Sequence, residues 1–214
     1  LMFRETDHLG DGARHLIKTA VVLGALVGVY QVVAVANGTS MPSSPAPSAS
    51  APASRPMTPE EMAVASYNSG ISHRDKATKA EVQVTKDKKD SDKLKNTKKA
   101  REEHEKALKD FMKSAELNPS LPQAWNGMGY SHRKLGDYAK ALENYDKALQ
   151  LAPNFPDAIE YRGEAYLGLN RLDDAKQAYL TLFGMDRKQA DSLMAAMKDY
   201  VAQKKTDPTG VDAA

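Results

Sequence analysis

A 34-residue period constrains this chain more than any other feature of its sequence. Gly129, Ala141 and Tyr145 recur 34 positions later as Gly163, Ala175 and Tyr179, and the later part of the pattern recurs 34 positions earlier as Ala107, Phe111 and Ser114. Pro119 and Pro153 share one phase of the period, with Leu182 and Arg187 standing where the third small residue and the third proline would fall. A unit of this length cannot form a core alone. Two antiparallel helices leave an apolar stripe uncovered, and stacking on the next pair buries it. Large aromatics fill the spaces, small residues stand where helices cross, prolines stop the second helices, and Leu135-Gly136-Asp137 turns between the helices of the middle unit. The predicted fold class is therefore all-α, a solenoid of about three helix pairs.

The first unit is interrupted. Gly70-Ile71-Ser72-His73-Arg74 matches Gly129-Tyr130-Ser131-His132-Arg133, but Gly70 and Gly129 are 59 residues apart, 25 more than the period. The extra residues fall at 76–100, between the two helices of unit one. Ala77, Ala80 and Val84 keep a thin helical stripe there, so both helices are expected to run on into a long hairpin with arms about 18 Å longer. Lys76 to Lys99 holds nine lysines and four acids, while the whole chain has a formal charge of only +2. No aromatics interleave with these lysines, so a base-stacking surface is not indicated and nucleic acid is not the expected partner. Past unit three, Leu193, Met194, Met197, Tyr200 and Val201 recur at helical spacing and predict a helix that caps the stack.

The stretch from Trp125, W-N-G-M-G-Y-S-H followed by Ala141, Tyr145, Ala148 and Pro153, resembles the tetratricopeptide repeat, W-x2-L-G-x2-Y…A-x3-F…P, with Met128 for the usual leucine and His132 for the usual tyrosine. The resemblance places repeat one at 63–119, repeat two at 122–155, repeat three at 156–187 and a capping helix at 188–205, within a folded domain of 59–205. In that family the first helices line a concave groove that receives a peptide or helix of a partner, and the resemblance implies the same here. With Trp125, Met128 and His132 turned to the core, helix geometry turns Asn126, Tyr130, Arg133 and Lys134 to the groove. The matching positions are Tyr67, Ile71 and Arg74 in unit one and Asp157, Glu160 and Glu164 in unit three. Such a groove is basic in units one and two and acidic in unit three, which suits a peptide of mixed charge. Asp157 and Tyr161 stand where some family members carry the basic residues that clamp a terminal carboxylate, so a chaperone-tail receptor is not implied.

Nothing in the sequence announces chemistry. There is no cysteine, and His8, His15, His73, His104 and His132 show no metal-ligand spacing. No phosphate loop, nucleophile signature or cofactor motif is present. The expected function is that of a scaffold for another protein. The alternatives are a self-assembling structural protein, hence a homo-oligomer, and a polyanion binder acting through the basic hairpin.

The first residues speak to location. Arg14, His15 and Lys18 precede an uncharged stretch from Thr19 to Ala36, which reads as an export signal cleaved after Ala34-Val35-Ala36 or as a retained membrane anchor. Residues 37–58 are rich in Pro, Ser and Ala and read as an extended linker that could reach about 70 Å. The basic flank stays inside, so the remainder is expected outside the cytoplasm, in a bacterial periplasm, either secreted or held to the inner membrane. Residues 206–214 are expected to be a disordered tail.

Overall fold

The structure, a computed structural model, describes residues 55–206. The expected signal or anchor, the linker up to residue 54 and the tail from residue 207 lie outside the described residues. Among the described residues the chain forms seven α-helices and no strand: α1 Pro59–Lys86, α2 Asp90–Leu117, α3 Pro122–Lys134, α4 Tyr138–Leu151, α5 Pro156–Gly168, α6 Leu172–Met185 and α7 Arg187–Thr206. Each helix packs on its successor. The first helices of the pairs also meet one another, α1 against α3 and α3 against α5, while α7 covers both α5 and α6. Among the described residues no helix is long and apolar enough to cross a membrane.

Local chemistry sets the boundaries. Thr58 Oγ1 accepts the Glu61 amide at 3.2 Å while the Thr58 amide donates to the Glu61 carboxylate at 2.9 Å, a reciprocal cap at the start of α1. Pro59, Pro122 and Pro156 open α1, α3 and α5, where a missing amide hydrogen leaves no bond unmade. The turns inside units two and three need a left-handed residue at the same point of the repeat. Gly136 supplies it with φ of 86° and Asn170 with φ of 58°. After α6, where the proline is absent, Asp186 takes over the boundary: it alone separates α6 from α7, and its carboxylate accepts the Gln189 amide at 3.1 Å.

The core is a series of large side chains held against glycine. A Cβ on Gly70 would lie 2.6 Å from the Phe111 ring and one on Gly127 2.8 Å from it, so this ring, fully buried, sits between α1 and α3. Tyr145 stands in the same way against Gly129, and Leu193 of α7 against Gly163, each 2.6 Å from the missing Cβ. The expectation that Trp125, Met128 and His132 form the core face of α3 needs correction. They are half-buried, while Ala124, Gly127, Gly129 and Ser131 are buried. Close helix approach admits only small side chains to the seam and leaves large ones at its rim. The Trp125 indole accordingly donates to the Pro119 carbonyl at 2.8 Å instead of entering the stack.

The insertion is a helical hairpin, as its stripe predicts. Each arm, α1 and α2, is 28 residues long, against 13 in α3. Ala77, Ala80 and Ala100 are buried along it. Its polar tip is tied together, although composition alone suggests nothing to hold it. The Asp87 carboxylate accepts from Gln83 Nε2 at 2.9 Å and from Asn96 Nδ2 at 2.7 Å, joining the two arms across the turn.

Candidate functional site

The three first helices bring most of the predicted residues to one place. Arg133 of α3 is its centre, with its side chain 12% exposed. Its guanidinium lies 5.2 Å from the Tyr130 ring centre and 5.3 Å from that of Tyr161 on α5, and it forms an ion pair with Glu164. The two tyrosines meet edge to face with centres 5.2 Å apart. Arg74 of α1 lies 5.7 Å from the centre of the same Tyr130 ring, and His104 of α2 lies 5.9 Å from it. A guanidinium over a ring is attracted to its negative face, the more so where water is scarce.

Tyr67, Asn126 and Glu160 occupy equivalent positions on the three helices and are all buried, at 7%, 9% and 5% exposure. They form the floor beneath the cluster and are not open to a partner. Tyr67 packs on Phe111 with ring centres 5.6 Å apart, and Asn126 Oδ1 is buried without a hydrogen-bond partner. Ile71 is half-buried on α1.

The expected split into basic and acidic halves does not survive folding, because opposite charges pair across the helices. Arg133 joins Glu164, and Lys134 reaches sideways to Glu81 of the hairpin at 3.0 Å. Asp157 accepts a hydrogen bond from Gln189 of α7. Pairing in a partly dry site recovers Coulomb energy that two separate desolvated charges would forfeit. Glu160 is the exception. Burial first, then the nearby carboxylate of Glu164, outweigh the attraction of Arg133 and push its pKa up to about 9, so it is neutral at pH 7.

A second polar joint ties the hairpin to unit two. Glu81 Oε1 lies 2.9 Å from His104 Nε2, and its other oxygen pairs with Lys134. A carboxylate can only accept here, so Nε2 carries the hydrogen, while the buried Nδ1 has no hydrogen-bond partner. Burial raises the Glu81 pKa, but the hydrogen bonds from His104 and Lys134 and the charge of Lys134 outweigh it and bring the group down to about 2. Beside this joint lies an open cleft of about 280 Å³, walled by Val84, Ala100 and Leu135 with Glu81, His104 and Lys134 among its polar groups. The neighbouring His73 donates from Nδ1 to Glu103 at 2.6 Å. Among the described residues no group of three or more His, Cys, Asp or Glu side chains is arranged to hold a metal ion.

Four participants are missing from the sequence-derived set: Tyr161, Glu81, His104 and Gln189. Tyr161 was legible, because it stands four residues after Asp157 and three before Glu164, on one helix face. Glu81, His104 and Gln189 carry no such signal. Their roles depend on how the hairpin and α7 pack back on the stack.

Residues 122–155 match the family described as Tetratricopeptide repeat. Among solved structures, the chain is similar to the first such domain of Spaghetti (RPAP3) bound to the HSP90 peptide SRMEEVD, at 17% identity, 64% coverage of this chain, 95% of that chain and a TM-score of 0.44. It is similar also to the first domain of human RPAP3, at 17% identity, 66% and 98% coverage and a TM-score of 0.46. A third is the Arabidopsis OM64 domain, at 13% identity, 63% and 98% coverage and a TM-score of 0.44. No curated protein matches the chain. Residues 122–155 thus carry the sequence pattern of a tetratricopeptide repeat, and among the described residues a helix pair stands on either side of that match, with one more helix, α7, packed on the last pair.

Proposed function

We propose that this chain is a non-catalytic adaptor that works outside the cytoplasm and seats a peptide or helix of a partner protein on the face shared by α1, α3 and α5. The observation that carries the reading is the convergence of Arg74, Tyr130, Arg133 and Tyr161 from all three first helices. Tyrosine and arginine are the residue types that most often dominate binding energy. Because Arg133 and Lys134 are already paired, ring faces and shape recognise the partner more than opposite charge does. Ile71, Arg74, Tyr130 and Glu164 form the accessible rim, over a floor of Tyr67, Asn126 and Glu160.

Tyr130→Ala tests this while leaving the Arg133–Glu164 pair in place. A partner captured from an envelope extract and titrated by calorimetry should bind the variant about thirtyfold more weakly, a loss of roughly 2 kcal/mol. Equal affinity, with helix content unchanged, would refute the site. The location rests on the basic flank and apolar stretch before Ala36. The intact mass of the mature chain and protease accessibility in spheroplasts test it, and separate cleavage from retention as an anchor. A second reading, self-assembly, draws on Leu180 and Phe183 of α6, exposed at 59% and 46%. Sedimentation equilibrium distinguishes it from the first, since a monomer across the concentration range excludes it.

A further inference from the structure

The hairpin tip has a surface chemistry that the stack does not use. Its acids are largely occupied: Glu81 holds His104 and Lys134, Asp87 holds Gln83 and Asn96, and Asp90 pairs with Lys93. Lys98 approaches Glu102 at 4.0 Å. Lys86, Lys88, Lys89, Lys95 and Lys99 are exposed, and none of them forms an ion pair with any described residue. Among these ammonium groups Leu94 stands 72% exposed, more open than any other large apolar side chain in the described part of the fold. A projection kept only for solubility needs no leucine there. Nor does a nucleic-acid surface fit, since base recognition uses aromatic platforms and the hairpin tip has none. Ammonium groups surrounding one aliphatic side chain fit an anionic lipid surface, where the charges meet phosphates and the leucine enters the acyl boundary. Lys76 and Lys79 continue the basic character along α1, so the positive field extends beyond the turn.

We infer that the tip of the α1/α2 hairpin is a membrane-surface contact that docks the domain on bilayers rich in anionic phospholipid, independently of the partner face. Attraction is long-ranged and salt-sensitive through the lysines, while Leu94 adds a smaller apolar component. Contact at the tip leaves α3 and α5 clear of the headgroups, because α1 is 28 residues long, about 42 Å, against about 20 Å for the 13 residues of α3.

The test is flotation of the full chain with vesicles of pure phosphatidylcholine and with vesicles containing about one third phosphatidylglycerol. Any binding through the apolar segment 19–36 is common to both vesicle types and to every variant, so the readout is the increment on the anionic ones. Wild type should show that increment, and it should collapse as salt rises from low to physiological. The quadruple substitution Lys86→Gln, Lys88→Gln, Lys89→Gln and Lys95→Gln should reduce it at least about tenfold, with circular dichroism confirming an intact fold. Leu94→Ser should reduce it about threefold at most while leaving the salt slope unchanged. If the quadruple variant loses helix content, the wild-type salt slope and the Leu94 variant still decide. No increment on anionic vesicles, or an increment that survives the lysine substitutions in a folded chain, overturns the inference. So does wild-type binding to poly-glutamate or duplex RNA with no vesicle increment, which would assign the tip to a different polyanion.

Discussion

Units one and two close on the same device yet differ about twofold in helix length. In both, a ring from the second helix, Phe111 or Tyr145, fills the space left by a glycine on the first, Gly70 or Gly129. Unit two then ends within a turn or two of the crossing, at 13 and 14 residues per helix, while unit one runs on for 28 in each arm. The difference teaches that the repeat specifies a crossing and leaves the length beyond it free, provided the extension brings contacts of its own. Here those contacts are small and polar. Ala77, Ala80 and Ala100 let the arms approach, Glu81 anchors the hairpin to unit two, and Asp87 closes the tip.

If the crossing is the common element, breaking it in the short unit should have the largest effect. Gly129→Leu places a side chain where even a Cβ would lie 2.6 Å from the buried Tyr145 ring. Neither ring nor backbone can yield without opening the α3/α4 seam, so the cost should be about 3 kcal/mol, at the upper end of overpacking effects. Thermal unfolding of wild type and variant measures it, and an unchanged midpoint would mean that the crossing tolerates bulk.

Next in size is the joint peculiar to unit one. Glu81→Ala removes the acceptor of His104 and the partner of Lys134 together and should cost about 2 kcal/mol, because the imidazole N–H is then buried unpaired. The pH dependence carries its signature. With its folded pKa near 2 and a reference value of 4.5, Glu81 contributes stability that is complete above the unfolded value and lost as pH falls towards 2. The variant should show a shallower loss of melting temperature on that acid limb. An identical limb would place the acid sensitivity elsewhere.

Glu160 of unit three should behave in the opposite sense. Its folded pKa lies above the unfolded value, so the native state holds the extra proton, and stability falls as pH rises from 4.5 towards 9. Glu160→Gln keeps the shape and removes the ionisation, so it should flatten that slope and raise the melting temperature at pH 8 by a few degrees, equivalent to about 1 kcal/mol. Melting curves across that range check it, and a slope unaffected by the substitution would show that the carboxyl is solvated.

How much of this was legible follows the same division between crossing and extension. The 34-residue period exposed the helix pairs, the glycines at 129 and 163, the insertion and the capping helix, because each repeats or interrupts a pattern. Gly127 was not distinguished, since its role exists only once Phe111 of the preceding unit lies against α3. The first-helix residues could be placed on one face by periodicity, and the structure gathers Arg74, Tyr130, Arg133 and Glu164 there. Their pairing could not be read. Whether Arg133 awaits a ligand or already holds Glu164 depends on the distance between α3 and α5, and no spacing within either helix encodes it.

The smallest effect is expected where the extension carries nothing for the stack. Replacing Thr85–Asn96 with a short glycine-rich loop removes the tip but keeps Ala80, Glu81, Ala100 and His104. It should change stability by less than about 0.5 kcal/mol, because the Asp87–Asn96 bond it removes joins only groups of the tip itself and closing a shorter loop costs little. Excision of Lys79–Lys98 is the sharper contrast. It takes away Ala80 and Glu81, leaves Lys134 and His104 without their acceptor, and should lower stability at least as far as Glu81→Ala does. Denaturant melts of the two shortened chains, read beside that point variant, divide the hairpin into a base that belongs to the fold and a tip that does not. Equal losses in both would erase the division and make the whole extension part of the core of unit one.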